Sequence, residues 1–253
     1  MREPALKPID LALQGGGSHG ALTWGVLDRL LEDERIAIAG ISGTSAGAMN
    51  AVVLADGLVQ GGRAGARAAL ERFWKAVSDA ARFSPIQRTL WDRLTGNWSL
   101  DRSPSYLLFE HLTRTFSPYE WNLLDLNPLR DLLAAQVDFE RVNRCTDTKV
   151  FVTATNVRTG RARIFTQPQL GVDAIMASAC LPFMFKAVEI DGEAYWDGGY
   201  IGNPALYPLV EDRATRDIVV VQINPLAREE LPTTGRAILN RLNEITFNAS
   251  LVK

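Results

Sequence analysis

The chain has 253 residues, of which 47% are hydrophobic and 22% charged, and its formal net charge is −2. This length allows one large α/β domain or two small ones, and the composition is ordinary for a globular protein. The small negative charge gives no reason to expect a nucleic-acid partner. The two cysteines, Cys145 and Cys180, are too few for a disulfide scaffold, and neither has a C-x-x-C neighbour, which excludes a zinc ribbon or redox motif.

The first 58 residues alternate between strand and helix patterns. Short apolar runs at residues 9–13 and 36–41 are typical of buried strands. Each run is followed by a glycine-containing turn and then by a helical pattern, over residues 18–32 and 46–58. This order predicts a parallel sheet with crossover helices.

The middle of the chain changes in character. Residues 61–81 are rich in alanine and arginine and predict a further helix. Residues 83–125 hold three of the six tryptophans, and prolines divide the stretch into short pieces. We interpret it as an aromatic insertion of short helices and loops over one edge of the sheet. The three tryptophans are Trp91, Trp98 and Trp121.

The rest of the chain returns to alternating patterns. Helices are predicted over residues 128–135 and 171–178, and an amphipathic helix over residues 234–253. The last pattern reaches residue 253 without a glycine cap, so a truncated C-terminus is left open. Strands are predicted over residues 149–155, 162–166, 186–190, 194–196 and 218–221.

The sequence has no pattern of a secretory or membrane-spanning segment. No apolar leader precedes Asp10, and no run of about 18 apolar residues occurs. The expectation is therefore a cytoplasmic protein, with peripheral contact to a membrane left open.

A glycine-rich loop, LALQGGGSHGAL, follows the first strand and opens the first helix. Gly15, Gly17 and Gly20 fit G-x-G-x-x-G, the spacing of a dinucleotide-binding turn. That role also requires an acidic residue at the end of the second strand, where this chain has Ser42. The loop is therefore expected to hold a different negative charge.

The turn after the second strand carries a second motif. Residues 43–47 read GTSAG and fit G-x-S-x-G, with Ser45 between Gly43 and Gly47. A serine on such a strand-to-helix turn exposes its hydroxyl as a nucleophile, and the glycines leave room for the turn. The sequence therefore predicts a nucleophile elbow.

A serine nucleophile changes the interpretation of the glycine loop. Acyl transfer passes through an oxyanion that needs backbone N–H donors, each worth about 2.7–4 kcal/mol of the barrier. Consecutive glycines at a strand-to-helix turn supply such donors without obstructing side chains. We therefore expect Gly15, Gly16 and Gly17 to hold an oxyanion.

A serine nucleophile usually uses a histidine as its general base, and this chain has only two histidines, His19 and His111. His19 lies in the glycine loop with no orienting carboxylate, and we interpret His111 as a surface or packing residue. A carboxylate is the better candidate. Asp197 ends a short aromatic strand and is followed by Gly198 and Gly199, although Asp-Gly-Gly alone also fits a hairpin turn.

Taken together, the three motifs resemble the patatin-like phospholipase family, as found in bacteria. These motifs are the glycine loop, the elbow around Ser45 and the Asp-Gly-Gly turn at Asp197. The Ala-Ser-x-x-x-Pro stretch at residues 177–182 is similar to one that precedes the aspartate strand in that family. The resemblance covers about residues 8–225 and implies a three-layer α/β/α fold with a central, mostly parallel sheet.

The resemblance also implies an activity, that of a serine lipid acyl hydrolase of the phospholipase A or carboxylesterase type. Ser45 is then the nucleophile that forms an acyl-enzyme, and Asp197 is the general base, with no catalytic histidine, metal or cofactor. The substrates implied are phospholipids or other acyl esters. The oxyanion hole implied is the loop that contains Gly15, Gly16, Gly17 and Gly20.

The chain departs from the family pattern at His19, where arginine or lysine is usual. Residues 83–125 are left between a lid or lipid-contact surface, the lining of an acyl channel and a local hydrophobic core. Residues 226–253 are expected to form a helical segment outside the catalytic domain, and a homodimer is left open. Two alternative functions also remain: an acyltransferase that uses the same acyl-enzyme, and a non-catalytic lipid-binding protein.

Overall fold

The computed structural model describes residues 6–252 except residues 83, 85, 98, 99, 101 and 102, so the prediction for Trp98 lies outside the described residues. The strands are β1 (Lys7–Leu13), β2 (Ile36–Thr44), β3 (Lys149–Asn156), β4 (Ala162–Thr166), β5 (Val188–Ile190), β6 (Glu193–Asp197) and β7 (Ile218–Val221). The helices are α1 (Gly20–Leu31), α2 (Ala46–Arg82), α3 (Leu90–Leu94), α4 (Pro104–Thr115), α5 (Pro118–Trp121), α6 (Pro128–Gln136), α7 (Phe139–Arg144), α8 (Val172–Ser178), α9 (Tyr207–Asp212) and α10 (Gly235–Asn248).

The strands form one sheet with a parallel centre. β3, β2, β1 and β7 lie side by side in that order and pair in parallel. β4 and β6 pair with β3 in the antiparallel direction, and β5 is the edge strand beside β6. α2 packs on one face of β2, whereas Ser42 and Thr44 bond to loop carbonyls near α9 on the other. The expected three-layer α/β/α architecture with a mostly parallel sheet is confirmed.

Two strands share one edge of β3, and this arrangement positions the site. β2 pairs with β3 as far as Thr44, which lies opposite Thr153. β4 occupies the other edge, so β6 pairs beyond the end of β2, with Asp197 opposite Ala154. The last residue of β2 and the last residue of β6 therefore pair with consecutive residues of β3, along the same edge of that strand.

α2 is a pair of helices that meet at a sharp break. Gly61 and Gly62 have non-helical dihedral angles, and the φ of Gly62 is 59°. The second half folds back on the first, so that a Cβ on Gly57 would lie 2.5 Å from the Cα of Ala66. The two separate helices expected from the sequence are confirmed.

Some boundaries differ from the prediction. β2 continues to Thr44 rather than residue 41, because β1 pairs with it as far as Gly43 and β3 as far as Thr44. α10 ends at Asn248 rather than residue 253. The sequence does not predict α7 or α9, since six residues make fewer than two turns and show no amphipathic period.

The aromatic insertion contains α3, α4 and α5 and contacts the β5 edge of the sheet. The Tyr119 hydroxyl accepts a hydrogen bond from the Ala187 N–H at 3.2 Å, one residue before β5. Large apolar side chains of the insertion face solvent: Trp91 is 65% exposed and Leu124 is 80% exposed. Short helices over one sheet edge are therefore confirmed for the described part of the insertion.

We expect Gly57→Ala to destabilise the protein by about 1–3 kcal/mol, because the new methyl group overpacks the contact between the two halves of α2. Gly25→Ala is the matched control on the exposed face of α1, where a Cβ meets nothing within 4 Å. It should stabilise the protein by about 0.5–1 kcal/mol. Urea denaturation followed by circular dichroism measures both variants. Equal stability of the two would contradict the packing described for α2.

Candidate active site

Ser45 lies on the turn between β2 and α2. Its φ is 55°, a left-handed conformation that non-glycine residues rarely adopt. A Cβ on Gly47 would lie 2.1 Å from the Leu13 carbonyl oxygen, and one on Gly43 would lie 2.6 Å from the Gly47 carbonyl oxygen. Glycine is therefore required on both sides of Ser45, and the turn has the geometry of a nucleophile elbow.

The backbone of the elbow is held by hydrogen bonds from distant parts of the chain. The hydroxyl oxygen of the buried Ser178 accepts a hydrogen bond from the Ser45 N–H at 2.9 Å. Thr44 Oγ1 donates to the Gly202 carbonyl at 2.7 Å. Ser178 belongs to the Ala-Ser-x-x-x-Pro stretch noted in the sequence, but nothing in that pattern indicates its bond to Ser45.

Asp197 ends β6 and is fixed on several sides. Its N–H donates to the Cys180 carbonyl at 2.8 Å, and its own carbonyl accepts a hydrogen bond from Thr155 Oγ1 at 2.8 Å. Its side-chain Oδ1 accepts the Gly199 N–H at 2.7 Å. A Cβ on Gly198 would lie 2.0 Å from the Thr153 carbonyl oxygen, so the turn after Asp197 packs directly on β3.

The carboxyl group of Asp197 is buried, with 1% of the residue exposed. Burial raises its pKa from the ordinary value of 3.8 to about 7, and the hydrogen bond from Gly199 and the nearby Ser45 hydroxyl oppose this rise in part. Oδ2 accepts no fully formed hydrogen bond from the described residues. Asp197 therefore presents one satisfied oxygen and one oxygen available to take a proton.

The glycine loop has two backbone N–H groups that remain available. The Gly15 N–H donates to Asn203 Oδ1 at 2.6 Å, and the Gly20 N–H bonds to carbonyls within the loop. The N–H groups of Gly16 and Gly17 have no acceptor among the described residues, and both glycines line the pocket that contains Ser45. The Gly15 and Gly20 N–H groups are therefore engaged within the protein, and among the four glycines expected to form an oxyanion hole it is Gly16 and Gly17 that present free N–H groups.

The buried amide of Gln14 anchors this loop. Its Oε1 accepts hydrogen bonds from the N–H groups of Ile223 and Asn224, both at 2.7 Å. Its Nε2 donates to Asn248 Oδ1 at 2.8 Å and to the Asn203 carbonyl at 3.3 Å. The sequence reasoning missed these residues. The available signal was a glutamine that directly follows a buried apolar strand, since a buried amide must find partners.

Neither histidine is among the described residues that line the pocket around Ser45. His19 is exposed, and its Nδ1 lies 3.1 Å from the Gly16 carbonyl oxygen in its own loop. His111 lies exposed on α4, as expected for a surface residue.

The candidate catalytic pocket, which contains Ser45 and Asp197, has a volume of about 530 Å³. Phe183 and Tyr200 line it and also line a second, more apolar cavity of about 710 Å³. Residues 113–119 of the aromatic insertion form much of the wall of this second cavity. The insertion therefore lies next to the catalytic pocket.

Both cysteines are free, and burial raises the pKa of the Cys180 thiol to about 12. Among the described residues, no three histidine, cysteine, aspartate or glutamate side chains lie together as metal ligands would. Within the same residues, no helix is long and apolar enough to cross a lipid bilayer.

The fold and the elbow define an α/β protein with a serine that lines a pocket at a strand-to-helix turn. A model of the patatin-like phospholipase family matches residues 11–210. The chain belongs to the patatin-like phospholipase family. Comparison with curated proteins gives no significant match.

Solved structures are similar to the chain at low sequence identity. VipD from Legionella pneumophila is 18% identical with a TM-score of 0.40, over 78% of this chain and 46% of VipD. A structure of the type III effector protein ExoU is 16% identical with a TM-score of 0.38, over 98% of this chain and 53% of that one. The ExoU–SpcU complex from Pseudomonas aeruginosa gives 16% identity and a TM-score of 0.36, over 98% and 50%. The chain spans about half the length of these proteins.

We expect Asp197→Asn to raise the free energy of unfolding, because the folded state then buries no charge. The folded carboxyl group keeps its proton up to a pH of about 7, whereas the unfolded one loses it near 3.8. The wild type therefore loses stability as the pH rises between these values and stays at the lower level above them.

The stability gain of Asp197→Asn should accordingly be small near pH 4, grow until the pH is about 7 and then stay constant, at a few kcal/mol at most. Urea denaturation of both proteins at several pH values across this range measures it. Asparagine can still accept the Gly199 N–H, which makes the variant a close structural match. A gain that is independent of pH would contradict the raised pKa of Asp197.

Proposed function

We propose that the chain is a serine lipid acyl hydrolase that cleaves acyl esters through Ser45 and Asp197. The observation that carries the proposal is the meeting of these residues at one edge of β3, where both line one pocket. Membership of the patatin-like phospholipase family supports lipid hydrolysis at the level of the family. The proposed substrates are phospholipids or other acyl esters.

The proposed reaction has two steps. The Ser45 hydroxyl attacks the ester carbonyl carbon, its proton passes to Asp197, and the N–H groups of Gly16 and Gly17 hold the resulting oxyanion. The intermediate collapses to the acyl-enzyme, and the departing alcohol or lysolipid takes the proton from Asp197. Water then attacks the acyl-enzyme with Asp197 again as the base, and Asp197 returns the proton to the Ser45 oxygen as the fatty acid leaves.

The burial of Asp197 supports its proposed role as the base. A general base works best when its pKa lies near the working pH, and an exposed aspartate is too weak at neutral pH. A pKa of about 7 makes Asp197 a far better acceptor for the serine proton. The uncommitted Oδ2 is the proposed acceptor atom.

The aromatic insertion is proposed to contact lipid. Several of its leucines and tryptophans are exposed, its residues 113–119 line the cavity beside the catalytic pocket, and tryptophan favours membrane interfaces. The cavity of about 710 Å³ that shares Phe183 and Tyr200 with the pocket is the proposed site of the acyl chain. Peripheral contact with a membrane follows from this arrangement, and residues 8–225 remain the proposed catalytic domain.

Covalent labelling with a fluorophosphonate tests the Ser–Asp dyad. We expect peptide mass spectrometry to find the label on Ser45 and none after Ser45→Ala. Asp197→Asn should slow labelling by about 10²–10⁴-fold, the usual contribution of a general base. In the wild type the labelling rate should rise with pH up to about 7 and then level off, because Asp197 must be deprotonated to act.

The same experiment separates the alternative functions. A wild-type protein that does not react, although it is folded, would contradict the proposal and favour a lipid-binding protein. A reactive Ser45 that transfers its acyl group to an added alcohol, and not to water, would favour an acyltransferase. Labelling at an unchanged rate in Asp197→Asn would exclude Asp197 as the base.

The proposed lipid contact of the aromatic insertion can be tested separately. Trp121 is 40% exposed and stacks edge to face on Phe109 at 6.0 Å. We expect Trp121→Ala to lower hydrolysis of lipid vesicles about tenfold while leaving a short soluble ester within about twofold. Leu22→Ala, at an exposed position on α1, is the control and should change neither rate. Equal losses on both substrates would contradict a role in lipid contact.

A further inference from the structure

One wall of the catalytic pocket is polar and comes from the C-terminal segment. Arg228 precedes α10, whereas Asn240, Asn243 and Glu244 belong to it, and all four line the pocket that contains Ser45. Asn243 and Glu244 follow Asn240 by three and four positions, so both lie on the same side of the helix as Asn240. The proposed mechanism gives this wall no role.

Arg228 and Glu244 form an ion pair that Arg241 reinforces. Arg228 Nε donates to Glu244 Oε2 at 2.8 Å, its Nη2 donates to Oε1, and Arg241 Nη1 donates to Oε2 at 3.2 Å. These contacts, chiefly the one from Arg228, hold the pKa of Glu244 below its usual range. Two guanidinium groups and one carboxylate leave the cluster with an excess of one positive charge.

The two arginines differ in what they have left for a ligand. Arg241 also donates to the carbonyl oxygens of Pro225 and Leu226, at 3.4 and 3.0 Å. Both of its terminal nitrogens therefore already have acceptors. The Nε and Nη2 atoms of Arg228 donate hydrogen bonds to Glu244, and its Nη1 has no acceptor among the described residues. Its side chain is 46% exposed and lines the pocket. Arg228 therefore presents the excess positive charge of the cluster to the pocket.

Two amides extend this set of donors. Asn240 and Asn243 are exposed on the same wall, and their side chains have no hydrogen-bond partner among the described residues. Each amide can donate two N–H groups. The carboxylate of Glu244 is already paired with two guanidinium groups, so an anion in the pocket meets mainly donors.

We propose that Arg228, Asn240 and Asn243 form a subsite for the phosphate of a phospholipid whose acyl ester lies at Ser45. Guanidinium and amide N–H groups suit the non-bridging oxygens of a phosphodiester. The phosphate and the acyl esters of a glycerophospholipid are attached to one glycerol, so both fit a pocket of about 530 Å³. The inference rests on the proposed ester hydrolysis and adds a preference for phospholipids over neutral esters.

The test compares Arg228→Gln with the wild type on two soluble substrates of equal acyl length. One is a short-chain phosphatidylcholine below its micelle concentration, and the other is a p-nitrophenyl ester, which has no phosphate. We expect the variant to lose about ten- to a hundredfold in kcat/KM on phosphatidylcholine, mainly through KM, and to stay within about twofold on the p-nitrophenyl ester. Arg29→Gln, which removes an exposed arginine of α1, is the matched control and should change neither.

The results that would contradict the subsite differ from the result that would contradict the proposed hydrolysis. Equal losses on both substrates, or none on either, would overturn the subsite while leaving the proposed hydrolysis intact. Inorganic phosphate separates the two sources of the anion. If Arg228→Gln abolishes inhibition by phosphate but leaves phosphatidylcholine kinetics unchanged, the site binds free phosphate and the head-group assignment is wrong. A wild type that hydrolyses neither ester overturns the proposed function, and this inference with it.

Discussion

The candidate site depends on the hydrogen-bonding edge of one strand. β2 and β6 lie end to end along the same edge of β3, with Thr44 opposite Thr153 and Asp197 opposite Ala154. Because ladder register fixes both strand ends, backbone pairing places Ser45 beside Asp197 before any side chain is considered. The rest of the site is built around these adjacent rungs: the elbow continues β2, and the Asp-Gly-Gly turn continues β6.

The position of the glycine loop depends on a different constraint: buried amide groups must find hydrogen-bond partners. Gln14 and Asn203 are both buried. The Gln14 amide donates to the Asn203 carbonyl oxygen, and the Asn203 side-chain oxygen accepts the Gly15 N–H of the loop. Leaving such a group unpaired costs about 1–3 kcal/mol, so the network resists small displacements of the loop. By occupying the Gly15 N–H, Asn203 also determines that the free donors are those of Gly16 and Gly17.

The sequence predicts much of this arrangement, for physical reasons that particular residues make clear. Ser45 and Asp197 could be found because each stands at a strand end beside glycines, which leaves a local pattern. The partners of the loop could not, since Gln14 and Asn248 are 234 residues apart and no periodicity links them. Nor does a run of glycines reveal which N–H groups find internal acceptors, as those of Gly15 and Gly20 do.

The contact of α10 with the Asp-Gly-Gly turn has a consequence for how such proteins diverge. The ring of Phe247 occupies the space where a side chain at Gly199 would lie, and it stacks on Tyr200 with ring centroids 5.4 Å apart. This helix thus packs directly on the turn that follows Asp197, although it lies outside the segment matched by the family model. The surroundings of the buried aspartate therefore include a peripheral element, and burial is what raises its pKa. Relatives with the same motifs and a different C-terminal helix should work best at a different pH.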